Sequence, residues 1–163
     1  MGMNENMESW VHKADVLIEA LPYIRKFSGQ KMVVKYGGSA MTDSRLKESV
    51  IRDVALLKLV GFKPIIVHGG GKEISHWIDK TGLETRFVNG LRVTDENTLE
   101  IVEMALAKVN GALVRNIEAL GEKAMGVSGK SGSLFTAVKK DSDDENEDLG
   151  FVGSITGVNS KVL

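Results

Sequence analysis

The chain has 163 residues, 42% of them apolar and 26% charged, with 21 basic and 22 acidic side chains. A net charge of −1 offers no electrostatic footprint for nucleic acid or an anionic membrane, and the lack of cysteine excludes disulfides, thiol nucleophiles and cysteine-bound zinc. The length suits one compact domain, and neither a membrane span nor a signal peptide is evident, so we expect a cytoplasmic protein.

The first predicted element is an amphipathic helix over residues 8–27, with its apolar side chains on one stripe. Pro22 lies inside this helix and removes one backbone donor, which predicts a kink. Ser28 and Gly29 then end the helix. We therefore expect residues 1–29 to form a kinked helical extension in front of a domain over residues 30–163.

Two strand–turn–helix units follow. Each starts with a short apolar run, passes into a glycine cluster and continues into a helix. The strands cover residues 32–34 and 64–67, the glycine clusters 37–38 and 69–71, and the helices 44–60 and 72–81. This alternation predicts an α/β fold, a three-layer αβα sandwich around a mainly parallel sheet. Ligands bind such sheets beyond the carboxyl ends of the strands, where both glycine clusters fall.

The rest of the chain predicts a hairpin, a long helix and further strands. The turn pair Asn89-Gly90 between apolar runs is typical of a two-residue hairpin, and Thr94 is expected to cap the helix that follows. Further strands are predicted at residues 124–127, 134–138 and 151–158, and the acid-rich segment 141–148 is expected to be a solvated loop. The sheet looks interrupted at residue 163.

The first candidate site is Lys35 with Gly37 and Gly38. A lysine at the end of a buried strand, followed by paired glycines, can place an ammonium group and bare backbone N–H groups around one anion. The alternative is a surface lysine before an ordinary glycine turn.

The second candidate is His68 with Gly69, Gly70 and Gly71. Three glycines between a strand and a helix allow close approach of a ligand and direct the helix N-terminus at it. We expect His68 to bond to backbone rather than to act as a base or ligand. His12 and His76 lack ligand spacing, so the sequence supports no metal site in the protein.

The third candidate is Arg92 on the hairpin, which could bind a carboxylate through a bidentate pair. The alternative is an exposed hairpin arginine. Gly126–Ser131 ends like a P-loop but has only two residues between its glycines where that motif needs four, so we interpret it as a turn.

Four short segments carry a more specific pattern together than any of these residues alone. They run from Val34 to Met41, Val67 to Gly71, Asn89 to Thr94 and Gly126 to Lys130. In order and spacing they resemble the acetylglutamate kinases of the amino acid kinase family, over almost the whole chain. The resemblance implies an ATP-dependent kinase, with Mg²⁺, that phosphorylates the side-chain carboxylate of N-acetyl-L-glutamate in arginine biosynthesis.

By this resemblance, Lys35 stabilises the phosphoryl group in the transition state, and Gly37, Gly38 and Gly69 bind phosphate oxygens. Gly70 and Gly71 match the pair that contacts acetylglutamate, and Arg92 matches the arginine that binds its α-carboxylate. Phosphoryl transfer depends mostly on positioning and charge stabilisation, which these residue types can supply.

The amino-terminal helix resembles the extension of the arginine-inhibited members, which interlace these helices into hexamers. The resemblance implies a homo-oligomer, with L-arginine as an inhibitor and Tyr23 near its site. The alternative is a helix that packs on its own domain.

Family members run nearly twice this length, and their second half supplies the nucleotide site. The resemblance therefore implies that residues 30–163 are the acetylglutamate-binding lobe without the nucleotide-binding lobe, and that this chain alone is inactive. Two alternatives remain open: a related carboxylate or carbamate kinase, and a catalytically inactive binding or regulatory module with the same pocket.

Overall fold

The computed structural model describes residues 2–141 and 148–163, which form two compact units, Met1–Val67 and His68–Leu163. The helices are α1 (Gly2–Phe27), α2 (Ser44–Leu59), α3 (Gly71–Thr81) and α4 (Glu96–Glu118). The strands are β1 (Lys31–Tyr36), β2 (Lys63–His68), β3 (Phe87–Val88), β4 (Leu91–Arg92), β5 (Phe135–Lys139) and β6 (Gly153–Val158). Short 3₁₀ turns lie at Gly38–Met41, Ser131–Ser133 and Ser160–Val162.

The helix α1 runs without interruption through Pro22, and Gln30 Nε2 donates to the Lys26 carbonyl just beyond its end. Most of its large apolar side chains face solvent in the first unit. The exposed ones are Met7, Trp10, Val11, Val16, Leu17, Ile18, Leu21 and Tyr23. The predicted kink at Pro22 stays a prediction.

The first unit contains a β–α–β arrangement. The strands β1 and β2 pair side by side, and the backbone hydrogen bonds Gly29 N–H to Gly61 O (2.6 Å) and Lys63 N–H to Gln30 O (2.9 Å) join the residues at their amino ends. Because both strands start at the same edge and a helix connects them, the pair is parallel. This pairing confirms the predicted α/β class with a parallel sheet.

The amino end of α2 has a side-chain cap. The Asp43 carboxylate accepts from the backbone N–H groups of Arg45 (2.8 Å) and Leu46 (3.0 Å), which satisfies two donors that the first turn leaves unpaired. Its buried side chains are Ile51, Val54 and Ala55, whereas Leu46, which the sequence places on the apolar stripe of this helix, is 46% exposed.

The core of the second unit lies between α3 and α4. Ile74, Ile78, Ile101 and Ala105 are buried there, and Ile78 is fully enclosed. Trp77 packs at the edge of this cluster, where its indole N–H donates to Glu73 (2.9 Å) and the Lys80 and Lys108 ammonium groups lie 5.0 and 4.8 Å from its ring. Truncation of a buried isoleucine in such a cluster costs about 2–5 kcal/mol.

The antiparallel hairpin of β3 and β4 confirms the prediction from its turn pair. Asn89 and Gly90 both have positive φ angles, 49° and 79°, as a two-residue type I′ turn requires.

The predicted cap of α4 is wrong by one residue. Asp95 is the N-cap, and its carboxylate accepts from Thr98 N–H at 2.7 Å. Thr94 instead donates its hydroxyl to the Arg92 carbonyl and forms a β-bridge with Gly150. The backbone of Thr94 therefore serves a tertiary contact that is not visible in the local sequence.

The strand predicted at residues 124–127 does not form in the structure. The segment has no regular secondary structure, and Met125 is 81% exposed. A strand needs a neighbour to complete its hydrogen-bond ladder, and within the described residues no strand pairs with this segment. The predicted strands near residues 134–138 and 151–158 do form, as the antiparallel pair β5–β6. Most of the predicted acid-rich loop, residues 142–147, lies outside the described residues, and Asp148 pairs with Lys139 at 3.0 Å.

No helix in the described ranges, 2–141 and 148–163, combines the length and the apolar character needed to cross a membrane.

Candidate functional site

The turn after β1 presents a lysine and two glycines. Lys35 is exposed, whereas Tyr36 is buried, and the Tyr36 hydroxyl donates to the Ala40 carbonyl at 2.9 Å. Burial raises the pKa of Tyr36, which keeps the phenol protonated as a donor. The hydrogen bond from the buried Tyr36 to Ala40 thus spans the turn at Gly37 and Gly38, while the Lys35 side chain is exposed to solvent.

The two glycines of this turn leave room for a ligand. No described atom lies within 4 Å of the place where a Cβ would stand at Gly37 or Gly38. Gly38 also has a φ angle of 62°, a conformation that other residues rarely adopt. A phosphate-sized anion can therefore approach this backbone beside Lys35 without meeting a side chain.

The second glycine cluster forms the start of α3. Gly70 occupies the N-cap position, and the helix begins at Gly71 with no side chain to satisfy its first N–H groups. Gly70 is buried, and a Cβ there would stand 2.7 Å from Leu106 Cδ2 of α4. Gly69 and Gly71 face open space among the described atoms. The combination of open backbone and the positive end of a helix dipole favours an anionic ligand.

Arg92 lies beside the same helix. Its Nη2 donates to Ser75 Oγ at 2.9 Å, its Nη1 donates to Thr85 Oγ1 at 3.2 Å, and its guanidinium carbon lies 4.6 Å from the Phe87 ring centre. Ser75 follows Gly71 by four residues, a rise of about 6 Å along the helix. The structure therefore places Arg92 beside the second turn of α3, the helix that begins at the second glycine cluster.

His68 bonds to the backbone, as its sequence position predicts, and also to a second side chain. Its Nδ1 lies 3.0 Å from the Gly69 carbonyl oxygen, and its Nε2 lies 3.2 Å from Nδ2 of Asn110 on α4. The same Asn110 nitrogen donates to the Val127 carbonyl at 3.2 Å. Asn110 thus joins the glycine cluster to the segment at residues 126–127.

Two charged pairs border this region in the second unit. Glu73, in the first turn of α3, accepts from Lys108 at 2.7 Å, and the hydrogen bonds from Lys108 and Trp77 hold the pKa of the Glu73 carboxyl below its usual value. Lys130 pairs with Glu103 of α4. Residues 129 and 130 form a turn, as the spacing of this segment indicates.

The predicted site residues thus fall into two groups. Lys35, Gly37 and Gly38 lie in the first unit with the exposed Tyr23 of α1, and Gly69 to Gly71 lie with Arg92 in the second. Within the described residues, no group of three or more histidine, aspartate or glutamate side chains could hold a metal ion.

Sequence reasoning missed three supporting side chains, Tyr36, Ser75 and Asn110. The signal for Tyr36 was available, because it ends an apolar strand and is four residues from its partner. No local signal points to Ser75 or Asn110, whose partners lie 17 or more residues away in the chain.

Comparison with known protein families matches residues 30–163 to the amino acid kinase family. An acetylglutamate kinase of Campylobacter jejuni is 54% identical over 157 residues, which are 96% of this chain and 54% of that protein. An acetylglutamate kinase of Caldanaerobacter subterraneus is 57% identical over 152 residues, 93% of this chain and 50% of that protein. The chain therefore spans about half the length of the curated relatives it matches.

Solved structures agree with the fold. An N-acetylglutamate synthase from Neisseria gonorrhoeae, complexed with coenzyme A and N-acetyl-glutamate, has a TM-score of 0.68 at 23% identity, covering 89% of this chain and 32% of that one. The smu.665 protein of Streptococcus mutans has a TM-score of 0.62 at 26% identity, covering 82% of this chain and 52% of that one.

Proposed function

Because the chain belongs to the amino acid kinase family, we propose that it is the acetylglutamate-binding part of an acetylglutamate kinase. The observation that carries this proposal is the 54% identity to the Campylobacter jejuni enzyme over 96% of this chain. The reaction would transfer the γ-phosphoryl group of ATP to the side-chain carboxylate of N-acetyl-L-glutamate, in arginine biosynthesis. We expect it to take place in the cytoplasm.

The second unit would bind the acetylglutamate. Arg92 would pair with the α-carboxylate, and Gly70 and Gly71 would contact the substrate through their backbone. This assignment is supported by the position of the guanidinium group beside the first turns of α3, whose open N-terminus also favours negative charge. Ser75 and Thr85 hold two guanidinium nitrogens, so little side-chain freedom remains to be lost on binding.

The first unit would act on the transferring phosphoryl group. Both reactants are anionic, so the reaction needs positive charge and N–H donors where they meet. Lys35 would stabilise the charge of the transition state, and Gly37 and Gly38 would bind phosphate oxygens. The open space at Gly37 and Gly38 fits a phosphate group. When bound, ATP with Mg²⁺ supplies the phosphoryl group.

These 163 residues would bind substrate without completing the reaction, since they match only about half of each kinase. The test is calorimetric titration of this chain with N-acetyl-L-glutamate, with N-acetyl-D-glutamate as control, and a separate assay of acetylglutamate-dependent ADP formation. We expect binding of the L-isomer without ADP formation. Failure to bind either isomer would refute the substrate assignment, and turnover would refute the prediction of inactivity.

The helix α1 would join copies of the chain into a homo-oligomer, a hexamer in the pattern of the arginine-inhibited kinases. The exposed apolar side chains along α1, Trp10, Leu17 and Ile18 among them, support this proposal. L-Arginine would bind near the exposed Tyr23 and inhibit the complete enzyme.

A further inference from the structure

We propose that Asn110 is a positioning residue that holds His68 in its Nδ1–H tautomer and ties the glycine cluster at residues 69–71 to the segment at residues 126–127. The expected effect of Asn110 on the affinity for acetylglutamate rests on the function proposed above. The hydrogen-bond network itself is independent of that function.

The tautomer follows from the partners of the His68 ring. A carbonyl oxygen can only accept, so the Nδ1 that lies 3.0 Å from Gly69 O must carry the hydrogen. In the neutral ring, Nε2 is then an acceptor, and Asn110 Nδ2 at 3.2 Å donates to it. An imidazole in the other tautomer would present a lone pair to the carbonyl and a hydrogen to the amide NH₂.

The orientation of the Asn110 amide follows from its second partner. The amide nitrogen carries two hydrogens, one for His68 Nε2 and one for the Val127 carbonyl at 3.2 Å. Rotation of the amide by 180° would place Oδ1 against two acceptors. Both hydrogens are therefore used, and the network assigns one orientation.

Packing encloses the same amide on its remaining side. A Cβ at Gly126 would stand 1.8 Å from Asn110 Oδ1, so only glycine fits there while the amide keeps its position. The segment at residues 126–127 thus contacts the amide through both a carbonyl group and a bare Cα.

One face of α4 contacts both the glycine cluster and the histidine that precedes it. Leu106 contacts Gly70, and Asn110, one helical turn further on, contacts His68. Ile101 and Ala105 of the same helix belong to the buried cluster against α3. Because the helix is fixed by this core, Asn110 offers His68 a rigid donor. Loss of the donor would free the ring and loosen the backbone that begins α3.

The first test measures the tautomer directly. Long-range ¹H–¹⁵N spectra of imidazole nitrogens, recorded on this chain at about pH 8, distinguish the two neutral tautomers. We expect the Nδ1–H form for His68 in the wild type. Asn110→Asp preserves the shape but can only accept, so it should convert His68 to the Nε2–H or the charged form. Asn97→Asp, exposed on the same helix, is the matched control, and His12 and His76 are internal references.

A second variant covers the case in which Asn110→Asp does not fold. Gly126→Ala keeps Asn110 but displaces its amide, and we expect it also to release His68 from the Nδ1–H form. An Nε2–H ring in the wild type would overturn the proposal, and so would an unchanged His68 spectrum in whichever of the two variants folds.

The second readout is affinity for N-acetyl-L-glutamate by calorimetry. We expect Asn110→Asp to weaken binding roughly 2- to 10-fold, the effect of one lost hydrogen bond, with no change in Asn97→Asp. A changed tautomer with unchanged affinity would overturn the positioning role. If the wild type does not bind acetylglutamate, the proposed function fails, whereas the tautomer measurement still decides whether the network exists.

Discussion

The Arg92 side chain is held in place by neighbouring residues of the chain itself. Ser75 and Thr85 accept from two guanidinium nitrogens, and Phe87 lies against its face. We expect Arg92→Ala to weaken acetylglutamate binding by roughly 1.5–3 kcal/mol, about 10- to 150-fold in Kd, because a charged hydrogen-bonded pair is lost. Calorimetric titration of this chain measures the change.

Lys161→Ala is the control for that substitution, because it removes an exposed positive charge outside the β3–β4 hairpin. Arg92→Lys should recover only part of the affinity, since an ammonium group cannot form a planar bidentate pair. Equal affinities for wild type and Arg92→Ala would show that the arginine does not bind the substrate.

Lys35 is expected to act mainly on the rate. In an enzyme that also carries the nucleotide half, Lys35→Ala should lower kcat with little change in the KM for acetylglutamate, because its charge serves the transferring phosphoryl group rather than the bound substrate. Steady-state kinetics with each substrate varied separates the two effects. A rise in KM at constant kcat would instead make Lys35 a ground-state binding residue.

Candidate site residues can be recognised in the sequence where they are consecutive in the chain. Lys35 with Gly37 and Gly38 is one continuous turn, so residue order alone carries the pattern. The partners of Arg92 and His68 were not predictable, because Ser75 and Asn110 lie 17 and 42 residues away in the chain and meet them only through tertiary packing. A single serine or asparagine on a helix has no feature that distinguishes it from a solvent-facing one.

The N-cap of α4 is a carboxylate, so its contribution to stability depends on pH. Hydrogen bonds from Thr98, with its side chain contributing most and its backbone N–H next, hold the pKa of the Asp95 carboxyl below its usual value. A lowered pKa in the folded state means that ionised Asp95 stabilises the fold above about pH 3.9, the unfolded value, and that this contribution disappears as the pH falls through the folded value.

We therefore expect the melting temperature of wild type to exceed that of Asp95→Asn at pH 7 and the difference to narrow toward pH 3. Thermal unfolding of both proteins across this range checks the expectation. A difference that stays constant with pH would mean that the charge of Asp95 contributes nothing.

Elements were predictable in proportion to the strength of their local signals. The hairpin β3–β4 formed where Asn89-Gly90 predicts it, because few other residue pairs tolerate two successive positive φ angles. Residues 124–127, Ala-Met-Gly-Val, are also mostly apolar, yet they form no ladder in the described part of their unit. Strand formation requires a neighbour, and the choice of neighbour is a tertiary property that composition does not encode.

Among the elements of the described residues, α1 carries the largest number of exposed large apolar side chains. We expect the chain to have a mass in solution that is a multiple of 17.7 kDa, and deletion of residues 1–29 to give a monomer. Light scattering coupled to size-exclusion chromatography measures both. A folded point variant with Trp10, Leu17 and Ile18 replaced by serine should reproduce the deletion. A monomeric wild type would refute assembly through this helix.

The two tryptophans divide between the units, with Trp10 exposed on α1 and Trp77 at the edge of the α3–α4 core. Each unit therefore carries its own intrinsic fluorophore. With Trp10 replaced by phenylalanine, emission reports the melting of the second unit alone, and with Trp77 replaced it reports the first. Coincident denaturation midpoints in urea would identify a single cooperative folding unit, and separate midpoints would identify two foldons that acetylglutamate would stabilise unequally.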